Sequence, residues 1–383
     1  MKEKWIEEAV IYQIMIDRFA GEWKETKNAN HFMGGNIQGI IHKLDYIQNL
    51  GVTAIWISPF VTNANYHGYH TMDFLQIDPH FGTYEDLKEL IQKTHAKGMK
   101  MIADFVPNHC SIEHPFFQEA LHNEESPYRN WFFFKNNNEY TYFLKYKELA
   151  KINLDNPAAR AYMIDIAKYW AGQGFDAFRI DHAIGPSFNF WESFTKEMKS
   201  SFPACPLWGE IWGHGISRKY YSTIHLKHPW KKWLFGLRQE ELQKDYIGVL
   251  DGVLDFTYRN LLIKALQAGE RILGNKRLEE QVKKHFGQYP KSFELVLFLD
   301  NHDTDRFLHF CHGDTSLLLE AIEFSRSWGR PFVLYYGTEQ GMTNEKTIFD
   351  KTPYADLRVR ECMNWEEGPS SLYFSMASLL KKD

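Results

Sequence analysis

Four apolar runs in this chain of 383 residues end in acids, amides and histidines, and that repeated pattern limits what the chain can fold into. GFDAFRIDHA delivers Arg179 and Asp181, and MIADFVPNH delivers Asp104, Asn108 and His109. PLWGEIW delivers Glu210, and LVLFLDNHD delivers Asn301, His302 and Asp303. An apolar run that ends in charge is costly unless the charges meet partners or do chemistry. For one run, an ion pair closing a strand is an adequate account. Four runs discharging at the same end are hard to explain as four separate salt bridges.

Between these runs the pattern alternates. Val10 to Ile16 reads as a first strand, ending at Asp17 and Arg18. A helix starts near Asn36, with Ile37, Ile40, Ile41, Leu44 and Ile47 on one face and Gly51 as its stop. Strand 54–60, helix 84–97 and strand 100–105 follow. Near-continuous apolar strands alternating with helices predict parallel strands covered by helices. The stretch 110–155 is aromatic and polar without a helical period, and it reads as a small inserted subdomain. Asn156 and Pro157 then open a helix. Strands at 177–180, 206–209, 249–256, 293–299 and 332–336 complete a count of eight. Helices are expected at 189–200, 257–268, 315–328 and 371–381, with a less readable helix from Trp230 to Leu242. The fold class is therefore α/β, an eight-stranded barrel of residues 1–109 and 156–383 with an insert at 110–155 after the third strand.

Charge narrows the partners. Lys and Arg number 44 against 49 Asp and Glu, a formal net charge of −5, and no basic block occurs. Nucleic acid and anionic membranes are thereby disfavoured. The four cysteines, Cys110, Cys205, Cys311 and Cys362, have no metal-binding spacing and read as free thiols of a reducing compartment. With no apolar leader visible, a cytoplasmic location is expected.

The ordered motifs YQIMIDRF, GGNIQGI, WISPF, YHGYHTMDF, DFVPNH, INLDNP, GFDAFRIDHA, WGEIW, FLDNHDTDRF and YYGTEQGM resemble the α-amylase family of retaining glycoside hydrolases. The likeness is greatest to the catalytic barrel of cyclomaltodextrinases, neopullulanases and maltogenic amylases. It implies a cleft at the C-terminal ends of the strands. Asp181 then matches the nucleophile, Glu210 the general acid/base and Asp303 the third carboxylate. Arg179, His109 and His302 match residues that support nucleophile and substrate, and Tyr69 matches an aromatic under the sugar. Trp212 and Trp131 are candidate stacking platforms.

The chemistry asks for these types. One carboxylate attacks the anomeric carbon while a protonated one serves the leaving oxygen, at a separation of roughly 5–5.5 Å in retaining enzymes. Arg179 precedes Asp181 by two residues, on the same strand face. Glu210 lies among Trp208, Ile211 and Trp212, an apolar setting that favours a retained proton.

The sequence departs from the family in two places. Ile184 and Gly185 stand where many amylases carry a Lys-His pair that serves substrate and calcium, and the insert is short. Asn108 matches the family's calcium ligand, but a full set of oxygens is not evident, so no cofactor is expected to be required. The stretch AGEWKETKNANHF replaces an acid-rich loop where some relatives hold a second calcium. The sequence to Asp383 holds no match to the family's C-terminal β-sandwich, as expected of either a natural minimal version or a truncation. Leu372, Tyr373, Phe374, Met376 and Leu379 would then lie uncovered on the last helix, a face that suggests a homo-oligomer. The expected activity is hydrolysis of α-1,4-glucosidic bonds in maltooligosaccharides or cyclodextrins through a glycosyl-enzyme. The alternatives are an α-glucan transglycosylase and a non-catalytic sugar-binding barrel.

Overall fold

Val, Ile, Leu and Phe fill the strand runs, and they pair as buried parallel strands of one closed barrel. The computed structural model describes residues 5–21, 30–135, 138–230 and 236–381. Its barrel strands are β1 (Val10–Ile14), β2 (Ala54–Ile57), β3 (Lys100–Phe105), β7 (Ala177–Ile180), β8 (Leu207–Gly209), β9 (Gly252–Leu254), β10 (Glu294–Phe298) and β11 (Phe332–Tyr335). They close in the order β1-β11-β10-β9-β8-β7-β3-β2. Every residue of β1, β2, β7, β8, β9, β10 and β11 is buried, as a parallel sheet covered on both faces requires. The register sets Arg179 beside Trp208 and Ile180 beside Gly209, which fixes how far each strand advances before its functional residue.

The helices start where their sequence signals say. Thr83 caps Tyr84–Ala96 and exchanges bonds with Asp86 in a capping box. Asn156 caps Pro157–Gly172, and Ser187 caps Phe188–Ser201. Phe190, Trp191, Phe194 and Met198 form the buried face of the last of these. Its Trp191 Nε1 donates to Ala183 O at 2.9 Å and so anchors the loop after Asp181.

The chain divides into two compact units. One comprises residues 1–58, 80–102 and 254–383, and holds β1, β2, β10 and β11. The other comprises residues 59–79 and 103–253, and holds β7, β8 and a three-stranded antiparallel sheet. That sheet is formed by β4 (His109–Ser111), β5 (Tyr142–Phe143) and β6 (Tyr146–Lys151), in the order β4-β6-β5.

Several expectations need correction. The first strand ends at Ile14, and Ile16–Phe19 is already helical. The helix after Asn36 is two, Ile37–His42 and Leu44–Asn49, broken at Lys43. The stretch after residue 110 contains a helix, Pro115–His122, burying Phe117 and Ala120. Another helix, Lys276–Phe286, has no counterpart in the sequence reading. Of the stretch from Trp230 to Leu242, residues 231–235 lie outside the described residues, and the helix observed there is Gln239–Lys244. The last helix, Ser371–Leu380, buries Tyr373 and Met376 and leaves Leu372 and Leu379 half-buried, so of the five residues named Phe374 alone is exposed. The four cysteines are unpaired and buried.

Candidate active site

A single guanidinium organises the first group of acids. Arg179 on β7 is 1% exposed, and its Nη1 donates to Asp104 Oδ1 at 2.7 Å and to Asp181 Oδ1 at 3.0 Å. Its Nη2 stands 2.8 Å from Glu210 Oε1. Burial works to lower the guanidinium's pKa, but Asp104, Glu210, Tyr69 and Asp181 outweigh it and hold the value well above normal. Arg179 therefore stays charged, and the sequence-predicted trio Arg179, Asp181 and Glu210 is brought together. Asp104 joins them, a residue that the sequence reading placed at a strand end without giving it a role.

Local backbone geometry secures the two acids. Asp181 directly follows β7, and its N–H donates to Phe105 O at 2.8 Å. His182 has a left-handed backbone (φ 39°), strained for a residue with a side chain. That turn points its N–H at Glu210 Oε2, 3.0 Å away. Ala183 N donates to Glu210 O at 3.0 Å, while Ala183 O accepts from Trp191 Nε1 and Tyr246 Oη, both at 2.9 Å. Glu210 is thus bonded through both its carboxylate and its backbone. Trp208 and Ile211 beside it are buried, as the apolar reading of this segment expects.

Tyr69 reaches the same group. Its hydroxyl donates to Asp104 Oδ2 at 2.7 Å, and its ring lies 5.8 Å from the Arg179 guanidinium carbon. His109 is buried and stacks on Phe143 at 4.6 Å. Burial, with a lesser contribution from His70, pushes its pKa down to about 3, so the ring is neutral near pH 7; the Tyr69 backbone acts the other way. His182 is held neutral too, first by burial and then by His109, Lys151 and Arg179. Trp212 is half-buried and stacks on His214 at 5.4 Å. Trp131 packs instead in an aromatic cluster with Phe116, Tyr128 and Tyr162.

Asp303 and His302 belong to the other compact unit. Asn301 Oδ1 accepts the Asp303 N–H at 3.0 Å, and Thr304 Oγ1 accepts the Asn301 N–H at 3.1 Å. This turn leaves the Asp303 carboxylate free to take Arg360 Nη2 at 2.9 Å on Oδ1 and His302 Nε2 at 2.9 Å on Oδ2. Gln13 Nε2 lies 2.8 Å from His302 Nδ1. An amide nitrogen only donates, so Nδ1 accepts and the ring proton sits on Nε2, facing Asp303. Arg360 also bonds His302 O at 2.9 Å and pairs with Asp356 at 2.7 Å. Neither Arg360 nor Gln13 was found from the sequence, since neither closes an apolar run as a motif residue.

The calcium ligand suggested by the resemblance, Asn108, is engaged differently: Lys151 Nζ lies 3.3 Å from its Oδ1. In the loop considered for a second calcium, residues 22–29 lie outside the described residues.

The chain is 38% identical to "Alpha-amylase 2" of Dictyoglomus thermophilum, a match covering 95% of this chain and 60% of that protein. It is 30% identical to "Cyclomaltodextrinase" of Thermoanaerobacter pseudethanolicus, covering 95% and 61%. The chain thus spans about 60% of the length of these curated relatives. Among solved structures, the cyclic alpha-maltosyl-(1→6)-maltose hydrolase from Arthrobacter globiformis, in complex with maltose, superposes with a TM-score of 0.81. That match has 26% identity and covers 99% of this chain and 83% of the other. The family description "Alpha amylase, catalytic domain" matches residues 13–382, and the chain belongs to that family.

Proposed function

We propose that this chain carries a retaining glycoside hydrolase for α-1,4-linked glucose in maltooligosaccharides or cyclodextrins. The observation that carries the reading is Arg179 holding Asp181 and Glu210 on one guanidinium. Asp181, kept ionised by that charge, attacks the anomeric carbon and forms a glycosyl ester. Glu210 hands a proton to the leaving oxygen, then takes one from the water that hydrolyses the ester. Three carboxylates gathered on one cation leave excess negative charge in a buried place, and a proton resting on Glu210 relieves it.

In this reading Asp303 is the third carboxylate, which strengthens its hold as positive charge builds on the ring. His109 donates to a sugar hydroxyl through Nε2, His302 steadies Asp303 through its own Nε2–H, and Tyr69 stacks beneath the ring, fixed by its bond to Asp104. Trp212 offers a further aromatic surface for the glucan. The names of the relatives support the substrate class. A cytoplasmic location is proposed with it, supported by the buried free thiols. No helix among the described residues is long and apolar enough to cross a membrane.

Incubation with maltotriose, a cyclodextrin and pullulan, followed by product chromatography, tests the proposal. Shorter maltooligosaccharides, released with the α-anomer retained by proton NMR, are expected. Products longer than maltotriose would assign the same intermediate to transfer. No turnover of any of the three, or an inverted anomer, would defeat the reading.

A further inference from the structure

A buried lysine ties together the segments that carry Asp181 and His109. Lys151 ends β6, where the strand turns from exposed to buried, and is 3% exposed. Its Nζ donates to Gly185 O at 2.7 Å, to Thr223 O at 2.5 Å and to Asn108 Oδ1 at 3.3 Å. An ammonium has three donors and no acceptor, so three oxygens saturate it. Burying it is costly, and burial pushes its pKa down to about 7, against the opposing charge of Asp155, so the ammonium form prevails below that pH. Neutral oxygens converging on one cation are what a hard metal ion asks for. Here the cation is a side chain.

The packing around it is built closely. A Cβ on Gly185 would lie 1.9 Å from Asn108 Oδ1, so only glycine lets the loop after Asp181 approach this near. Gly185 N donates to His182 O at 2.9 Å, which joins this contact to the strained turn that grips Glu210. Gly185 O also meets His225 Nδ1 at 2.7 Å.

The lysine also sets a proton two groups away. As an ammonium it can only donate, so in that form the oxygen of Asn108 must face it and the amide nitrogen must face His109 Nδ1, at 3.1 Å. Nδ1 then accepts, and the ring proton lies on Nε2. That atom is buried and meets no hydrogen-bond partner of good geometry among the described residues.

We infer that Lys151 is a positioning residue, a built-in cation that occupies the oxygens calcium would need at Asn108 and, through Asn108, holds His109 with its proton on Nε2 for a substrate hydroxyl. The inference rests on the hydrolase reading for the substrate and on the geometry alone for the rest. Calcium does not fit here: its ligands are spent, and the ammonium beside it would repel it.

The test joins three measurements. Wild-type protein is melted and assayed in EDTA and in calcium chloride, and both the melting temperature and kcat are expected to be the same in the two. The ring nitrogens of 15N-histidine-labelled wild type are read by NMR, with His109 assigned through His109→Gln, and the Nε2–H tautomer is expected. Lys151→Met is expected to lower kcat about 10- to 100-fold, the loss usual for removing the support of a site residue, with KM little changed and His109 no longer confined to one tautomer. Lys151→Asn, which replaces the cation with a further oxygen, is expected to gain a calcium-dependent rise in melting temperature.

A wild type that EDTA destabilises, or a folded Lys151→Met with wild-type kcat and an intact Nε2–H signal, would overturn the inference. Should Lys151→Met not fold, the wild-type chelation and tautomer measurements decide alone. Absence of glucan turnover in the wild type would instead defeat the hydrolase reading, leaving those two measurements to judge Lys151.

Discussion

The two groups of acids are held in opposite ways. Around Arg179, one cation serves three carboxylates, Asp104, Asp181 and Glu210, and the guanidinium is buried. Around Asp303, one carboxylate whose side chain is 27% exposed is served by both Arg360 and His302. The first group is short of positive charge, which favours keeping a proton on one acid and taking up positive charge from a reacting sugar. The second group is well supplied with donors, so its acid is fixed in direction. On the proposed roles, the attacking and proton-donating pair shares one counter-ion, whereas the acid that steadies charge has its own.

The largest expected effect falls on the first group. Asp181→Asn should lower kcat by at least about 10⁴-fold, the order lost when a covalent nucleophile is removed, with its melting temperature near that of wild type. Steady-state kinetics and a thermal melt check both halves; measurable turnover close to wild type would break the comparison at its root. Next comes Arg179→Leu, which strands three carboxylates in a buried place. A destabilisation of roughly 3–5 kcal/mol is expected in urea denaturation. If Arg179→Leu matches Arg360→Leu in stability, the contrast in burial carries no weight.

Asp303→Asn sharpens the second group. The account expects kcat to fall about 10²- to 10³-fold, as for loss of one electrostatic stabiliser of the transition state, with stability almost unchanged. Smallest is Gln13→Leu, which frees His302 Nδ1 from its donor. About a tenfold fall in kcat is expected, with Gln13→Asn failing to restore it because the shorter amide does not reach. An unaltered kcat would show that the His302 tautomer is not set by Gln13.

The barrel and the acids of both groups could be read from the sequence because each is encoded locally. An apolar run gives a strand, and the residue that closes the run is delivered by the strand itself. Asp181 and Glu210 follow β7 and β8 directly, whereas Asp303 is carried past the end of β10 by the turn that Asn301 and Thr304 hold. Arg360 has no such local signal, since it lies 57 positions from Asp303 in a stretch with no period, and only folding brings the two together. Gln13 sits inside β1, where a polar residue in an apolar run has no visible purpose until His302 packs on it. Lys151, in a polar stretch, reads as an exposed lysine, yet β6 turns inward over its last three residues. The helix Lys276–Phe286 had a legible signal, with Asn275 as cap and Leu278, Val282 and His285 at helical spacing. Lys43 breaks the helix after Asn36 although the apolar spacing runs straight through it, because periodicity records a face and not the continuity of backbone bonds.

The account stands on Asp181 and Glu210 sharing Arg179 as attacking and proton-donating acids. The most direct test is mass spectrometry of Glu210→Gln after incubation with α-maltosyl fluoride, whose leaving group needs no proton. The account predicts a maltosyl adduct on the peptide that contains Asp181. An adduct on Asp303 or Asp104, or no adduct while the fluoride is consumed, would contradict it.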